Sequence, residues 1–170
     1  MLQDRGLLSA RRNETSDTKY SFASPDAAQF IGTGDWLEFF AWQAAINSGV
    51  ADEQHCQWGC DIKAGQVYNE FDLMLMYKAQ LIVAECKAER DPFKGKKDYL
   101  GDLNTKADML GGPYVSKIFI TNQPATGDKS YPTFKERAEQ YKIVVVTAEN
   151  LHEIGQILKR EAEKPTYPRI

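Results

Sequence analysis

Two apolar runs of strand length follow each other in mid-chain, and each carries a carboxylate where a core residue is expected. The first is Asn69-Glu70-Phe71-Asp72-Leu73-Met74-Leu75-Met76 and the second Leu81-Ile82-Val83-Ala84-Glu85-Cys86-Lys87. Tyr77-Lys78-Ala79-Gln80 turns between them; it lacks the Asn-Gly signature of a tight hairpin, which leaves the turn geometry open. A pairing centred between Lys78 and Ala79 sets Asp72 opposite Glu85 and Glu70 opposite Lys87. Directly opposed residues share a face of the sheet, as do residues two apart on one strand. Glu70, Asp72, Glu85 and Lys87 are therefore predicted to form one cluster. A slip of one residue would separate the two carboxylates, so the prediction depends on register.

Like charges directly opposed on a sheet repel, and burial raises the cost of keeping both ionised. A divalent cation removes the conflict, and hard carboxylate ligands suit Mg²⁺ or Mn²⁺. Lys87 beside such an ion can orient an attacking water or offset charge on a scissile phosphate. A plainer arrangement is also open from the residues alone: a Glu70–Lys87 ion pair, with Asp72 and Glu85 at an exposed edge.

The rest of the chain narrows the choice. With 170 residues, 42% hydrophobic and 26% charged, it suits one domain with a real core. The net charge of −3 shows no bulk basicity, so contact with phosphates must come from a local cluster. Lys94, Lys96 and Lys97, with Lys106 further along, form one such cluster after the second strand; a solvated helix face accounts for them equally well. Tyr99 either stacks on an unpaired base or packs beside Leu100 and Leu103. Three cysteines do not make a disulfide framework, and His55-Cys56-x-x-x-Cys60 lacks the second ligand pair of a structural zinc site. Cys86 faces away from Glu85 and Lys87 and reads as a core thiol. Two histidines without a Ser or Cys partner argue against triad chemistry. No apolar run approaches the ~20 residues of a membrane helix, and no signal peptide is visible, so a reducing cytoplasm is the expected home.

Hydrophobic spacing places helices at about 35–48, 96–110 and from Pro132, and a last one from Asn150, where Glu153 completes a capping box. Strands are expected at 56–66 (ending near Gly65), 69–76, 80–87, 115–120 and at the continuous apolar run Ile143–Val146, which suits a strand covered on both faces. Three strands followed by alternating units predict a mixed sheet with helices on both faces. Residues 1–28 lack apolar periodicity and read as a linker or peripheral segment with room for one short helix; residues 29–162 form the domain, and 163–170, with Pro165 and Pro168, a flexible tail.

With these motifs assembled, the chain resembles a known family. Gly34-Asp35-Trp36-Leu37-Glu38 in a helix, then Asn69-Glu70-Phe71-Asp72, then Glu85-Cys86-Lys87, resembles the PD-(D/E)xK nuclease superfamily. More narrowly, it looks like the nuclease domain of CRISPR-associated effectors activated by cyclic oligoadenylates. The resemblance covers roughly residues 30–158 and implies a restriction-endonuclease-like α/β fold, a mixed sheet flanked by helices. It implies Mg²⁺- or Mn²⁺-dependent cleavage of DNA, RNA or both, in antiviral defence. Carried over by motif, Asp72 and Glu85 hold the metal and Lys87 is the catalytic lysine. Glu38 matches the helix glutamate that completes such sites, through a bound water. Asn69 and Glu70 match accessory positions, and a homodimer is a plausible assembly for such nucleases. Phe71 departs from the family's proline before the first acid. At 170 residues the chain leaves no room for the upstream cyclic-nucleotide sensor of those effectors, so activation by cyclic oligoadenylate is not carried over. The competing expectation is a silent module that keeps the fold and binds nucleic acid or a partner chain.

Overall fold

The computed structural model describes residues 8–12, 18–64 and 67–167, and the chain divides into two units at Trp36. In the first unit, β1 (Leu8–Arg12) and β2 (Thr18–Phe22) form an antiparallel pair where the sequence predicted a linker. The second strand does alternate, with Tyr20 and Phe22 interleaved with Lys19 and Ser21, a five-residue signal easily lost among its charged and polar neighbours. α1 (Pro25–Thr33) follows. Ser24 caps it by accepting from the Ala27 N–H at 3.1 Å, and Gly34 ends it with φ +97°. The other residues of the predicted linker, with Gly65 and Pro168, lie outside the described residues.

α2 (Asp35–Asn47) opens at the junction, and from Leu37 onward the chain builds the second unit. Its strands are β3 (Cys56–Ala64), β4 (Val67–Tyr77), β5 (Gln80–Lys87), β6 (Val115–Thr121) and β7 (Ile143–Val146). They lie in the order β3-β4-β5-β6-β7. The first two interfaces are antiparallel and the last two parallel. This is the mixed sheet expected from the sequence, with β5 at its centre. The expected register of β4 on β5 is the one observed, Leu73 facing Ala84 and Tyr77 facing Gln80. Lys78 takes a left-handed φ of 53° to close the turn without a glycine.

Helices α3 (Tyr99–Leu110) and α4 (Tyr131–Gln140) cover one face. Their residues Tyr99, Leu100, Leu103, Ala107, Phe134 and Ala138 share a cluster with Val83 of β5, Val115 and Phe119 of β6 and Ile143 of β7. The ring of Phe119 is central, with centroids 5.0 Å from Phe134 and 6.2 Å from Tyr99. The intervening strand residues Ile82, Ala84, Cys86, Ile118 and Ile120 are also buried and must point to the other face, because strand side chains alternate. There α5 (Ile154–Glu163) packs on β4 and β5, and a Cβ on Gly155 would lie 2.8 Å from the Ala44 carbonyl of α2.

Two details depart from expectation. Asn150 and Glu153 form no capping box: residues Leu151–Glu153 make a turn of 3₁₀ helix, and Asn150 Oδ1 accepts from the Thr147 N–H. At the start of the expected tail, buried Glu161 accepts from both the N–H and the hydroxyl of Thr166, a contact the sequence did not announce.

Candidate active site

Both ladders of β4 pass over Asp72. The pairs with β3 run from Cys56↔Leu75 to Trp58↔Leu73 and resume at Cys60↔Phe71; the pairs with β5 stop at Leu73↔Ala84. Gly59, the residue skipped on β3, has φ +56°, a conformation that a residue with a Cβ rarely adopts. The alternation of β4 slips at the same place: Phe71 and Met74, three residues apart, pack on the same cluster. Such a break re-aims a side chain, as bulges do beside active sites. Here it turns the Asp72 carboxylate onto the neighbouring strand, where Oδ2 accepts the Cys86 N–H at 2.7 Å. A side chain takes the donor that a carbonyl would have taken, and the strands part.

Lys87 closes the arrangement. Its Nζ lies 3.0 Å from Asp72 Oδ2 and 2.7 Å from Glu85 Oε1, and it donates to the Cys86 carbonyl at 3.0 Å. The Tyr99 ring lies beneath the ammonium, 5.5 Å from its centroid, and Thr121 on β6 fixes the strand end by donating to the Lys87 carbonyl at 2.7 Å. Asp72 and Glu85 are each 6% exposed. Burial raises the Asp72 pKa, and the Glu85 charge adds to it. Burial works against the Lys87 ammonium, but Glu85 and Asp72 outweigh it and raise its pKa. The site is thus a charge-dense, nearly dry pair of acids bridged by one ammonium.

A second lysine completes it. Lys106 of α3 places Nζ 3.0 Å from Glu85 Oε2, so each Glu85 oxygen has its own ammonium. The sequence reading counted Lys106 with the phosphate-facing lysines and missed this contact. A signal was there: Tyr99, Leu103, Lys106 and Leu110 recur at i, i+4, i+7 and i+11, so Lys106 stands in the buried stripe of its helix. Thr121 and the Tyr99–Glu89 hydrogen bond of 2.8 Å carried no such signal.

The structure brings Asp72, Glu85 and Lys87 together and leaves Glu70 out. Glu70 is exposed and lies across from Asp61 on β3, and the β4–β5 ladder ends at Leu73↔Ala84, short of its predicted alignment with Lys87. Asn69 turns to α3, where its amide meets Met109 Sδ at 3.4 Å. Glu38 is half-buried on α2, close enough that its charge, after burial and the Asp72 charge, helps to raise the Cys86 pKa. Among the described residues no three His, Cys, Asp or Glu side chains converge as a ready-made metal cage. Lys94, Lys96 and Lys97 are exposed, Lys94 pairing with Asp91 at 2.7 Å. Tyr99 is 6% exposed, so it packs rather than stacks on a base. The Trp42 indole donates to the Cys56 carbonyl at 2.9 Å, a structural use.

Two buried acids and a lysine thus meet at the parting of two central strands of a mixed α/β sheet. The chain belongs to the Card1-like endonuclease-domain family, whose model matches residues 25–164. Among solved structures it is similar to protein VC1899 from Vibrio cholerae, with a TM-score of 0.73 and 18% identity over 98% of this chain. It is also similar to Can2 from Sulfobacillus thermosulfidooxidans, solved in complex with cyclic tetra-adenylate, with a TM-score of 0.64 and 21% identity over 90% of this chain. The chain spans 42% of the length of each of those proteins. No curated protein sequence matches it significantly. Among the described residues no helix is long and apolar enough to cross a membrane.

Proposed function

We propose that this domain is a metal-dependent endonuclease that hydrolyses phosphodiester bonds of DNA, RNA or both, as the effector part of a CRISPR-associated antiviral defence protein. The observation that carries the reading is the Asp72–Lys87–Glu85 triangle. A cation already bridges the two carboxylates there, in the form of the Lys87 ammonium, and the donors are the hard oxygens that Mg²⁺ or Mn²⁺ prefers. The donor set therefore fits such an ion, held by Asp72 and Glu85, with Glu38 contributing through an intervening water. When bound, the ion activates water as the nucleophile and neutralises charge on the phosphate.

The chain's own residues do the rest. The Cys86 N–H fixes the Asp72 carboxylate, so the acid is oriented before anything binds. The Lys87 ammonium keeps its proton, oriented by three acceptors, and offsets negative charge that develops on the phosphate. Burial of both acids limits competing solvent and strengthens each interaction. Lys94, Lys96 and Lys97 are placed by sequence just beyond the strand that carries the lysine, and in this proposal they receive the phosphates of the incoming strand. No covalent intermediate is required.

The test is cleavage of supercoiled plasmid, single-stranded DNA and single-stranded RNA in Mn²⁺, Mg²⁺ or EDTA, by wild type and Glu85→Gln. The expected result is metal-dependent cleavage, lost at least ~100-fold in the variant, a scale typical of removing one stabilising group from a reaction site. Cleavage that persists in EDTA or in Glu85→Gln refutes the proposal. Should neither protein cleave, calorimetric Mn²⁺ binding decides: binding lost in Glu85→Gln supports a nuclease awaiting an activator, and no binding in either supports a silent binding module.

A further inference from the structure

Lys106 is unlike Lys87 in how it is held. Lys87 Nζ has three acceptors, Asp72 Oδ2, Glu85 Oε1 and the Cys86 carbonyl. Lys106 Nζ has one among the described residues, Glu85 Oε2, at 3.0 Å. Its other neighbour is the face of Phe71, with the ring centroid at 5.9 Å, and its side chain keeps 21% of its surface open to solvent. It comes from a helix, whereas Lys87 comes from the central strand. Two formal negative charges, Asp72 and Glu85, face two formal positive charges, Lys87 and Lys106. A divalent cation joining this set would leave it with two excess positive charges in a nearly dry pocket. The two side chains are about equally open, at 21% and 23%, so what separates them is the number of acceptors: one ammonium has to give way, and the weakly held one is Lys106.

Resting on the nuclease reading above, we propose that Lys106 is a displaceable positioning lysine. Without a divalent cation it holds Glu85 Oε2 and keeps the buried acid compensated. With a divalent cation held by Asp72 and Glu85, the Lys106 ammonium would be free to swing outward on its flexible stem and pair with a phosphate of the nucleic acid. The freed charge is then supplied beside the strand only when the metal is in place. Nucleic-acid binding thereby becomes conditional on metal loading without any movement of the sheet.

The test uses the full chain, wild type against Lys106→Met, which keeps the apolar stem on Phe71 and removes the charge. Calorimetric Mn²⁺ binding to Lys106→Met should be roughly tenfold tighter than to wild type, as expected when one like charge is removed from beside the ion in a partly wet site. Binding of a single-stranded oligonucleotide in Ca²⁺ should weaken, with the salt dependence of log K shallower by about one phosphate contact. Lys106→Arg should restore the oligonucleotide binding. A purely structural lysine would lower the melting temperature in EDTA and leave the Mn²⁺ affinity and the salt slope where they are; that result overturns the proposal, as does weaker Mn²⁺ binding. If Lys106→Met does not fold, Lys106→Gln, a neutral donor to Glu85, carries the same comparison. Wild type and Glu85→Gln taking up Mn²⁺ alike would sink the nuclease reading itself, whereas loss in Glu85→Gln with no change in Lys106→Met removes only the role given to Lys106.

Discussion

Replacing Lys87 by Met tests whether one ammonium is what allows two carboxylates to stay buried together. In the folded chain Nζ is 3.0 Å from Asp72 and 2.7 Å from Glu85, whose side chains are 9% and 8% exposed. Removing one partner of a buried ion pair costs ~3–5 kcal/mol, because the charge left behind is uncompensated. Glu85 retains Lys106, which sets the expected loss near the lower end, about 3 kcal/mol. For a domain of this size that is a fall in Tm of roughly 6–12 °C. Urea and thermal denaturation in EDTA measure it. The deficit should shrink in acid. Burial, then the Glu85 charge, already raises the Asp72 pKa, and Lys87 is among the groups that lower it. The variant's Asp72 pKa therefore rises further. A carboxylate with a raised folded pKa carries its penalty above that pKa and loses it as pH falls through it. Mn²⁺ at 100 times its dissociation constant should return ~2.7 kcal/mol to the variant, since a metal ion can take the place of the ammonium. A loss below ~1 kcal/mol in EDTA at pH 7, well short of what an uncompensated buried charge costs, would refute the argument.

Asp98 caps α3, its Oδ1 accepting from the Gly101 N–H at 3.0 Å while Arg137 reaches Oδ2. Asp98→Ala should cost ~1 kcal/mol in urea denaturation at pH 7. The Gly101 N–H, then Arg137, holds the Asp98 pKa below its usual value, so its contribution is present above the unfolded pKa and lost as pH falls through the folded one; the gap to wild type should close in acid. Gly155→Ala places a Cβ 2.8 Å from the Ala44 carbonyl, a backbone atom that cannot rotate away, and should cost ~1–3 kcal/mol by the same assay. An unchanged urea midpoint would show that α2 and α5 can separate freely.

Much of the sheet was legible because its signals are local. The run Leu81–Val83, the stripe Leu100–Leu103–Ala107 and the run Ile143–Val146 each state a period and a length. The register of β4 on β5 rested on centring the turn between Lys78 and Ala79, which no turn signature required, and the pairing Tyr77↔Gln80 is the one observed. Although Ile143–Val146 reads as a strand covered on both faces, β7 lies at the sheet edge with Val144 and Val145 half-buried; hydrophobic pattern reports coverage of faces, not of edges. The site was legible as far as strand alternation held. Asp72, Glu85 and Lys87 still meet beyond the end of the β4–β5 ladder because their side chains reach across the gap, whereas Glu70, two residues further on, does not. Lys106 was harder to place, since a lysine in a buried helical stripe has a meaning only once its tertiary neighbour is known. The β1–β2 pair was missed for a different reason: the alternation of Thr18–Phe22 is only five residues long and sits in a stretch otherwise rich in charged and polar residues.

The position of β5 has a consequence for how such a domain can be controlled. Glu85 and Lys87 belong to the central strand: they pair with β6 along their length, while the pairing with β4 ends one residue before Glu85, and helices lie over both faces. Buried central strands are among the last segments of a domain to open. Asp72 is fastened to it by a backbone donor. The acids and their lysine therefore form a fixed anvil. Any on–off control has to act on what is brought to it: the ion, the nucleic-acid strand, or the helix-borne groups Glu38 and Lys106 that approach from the two sides.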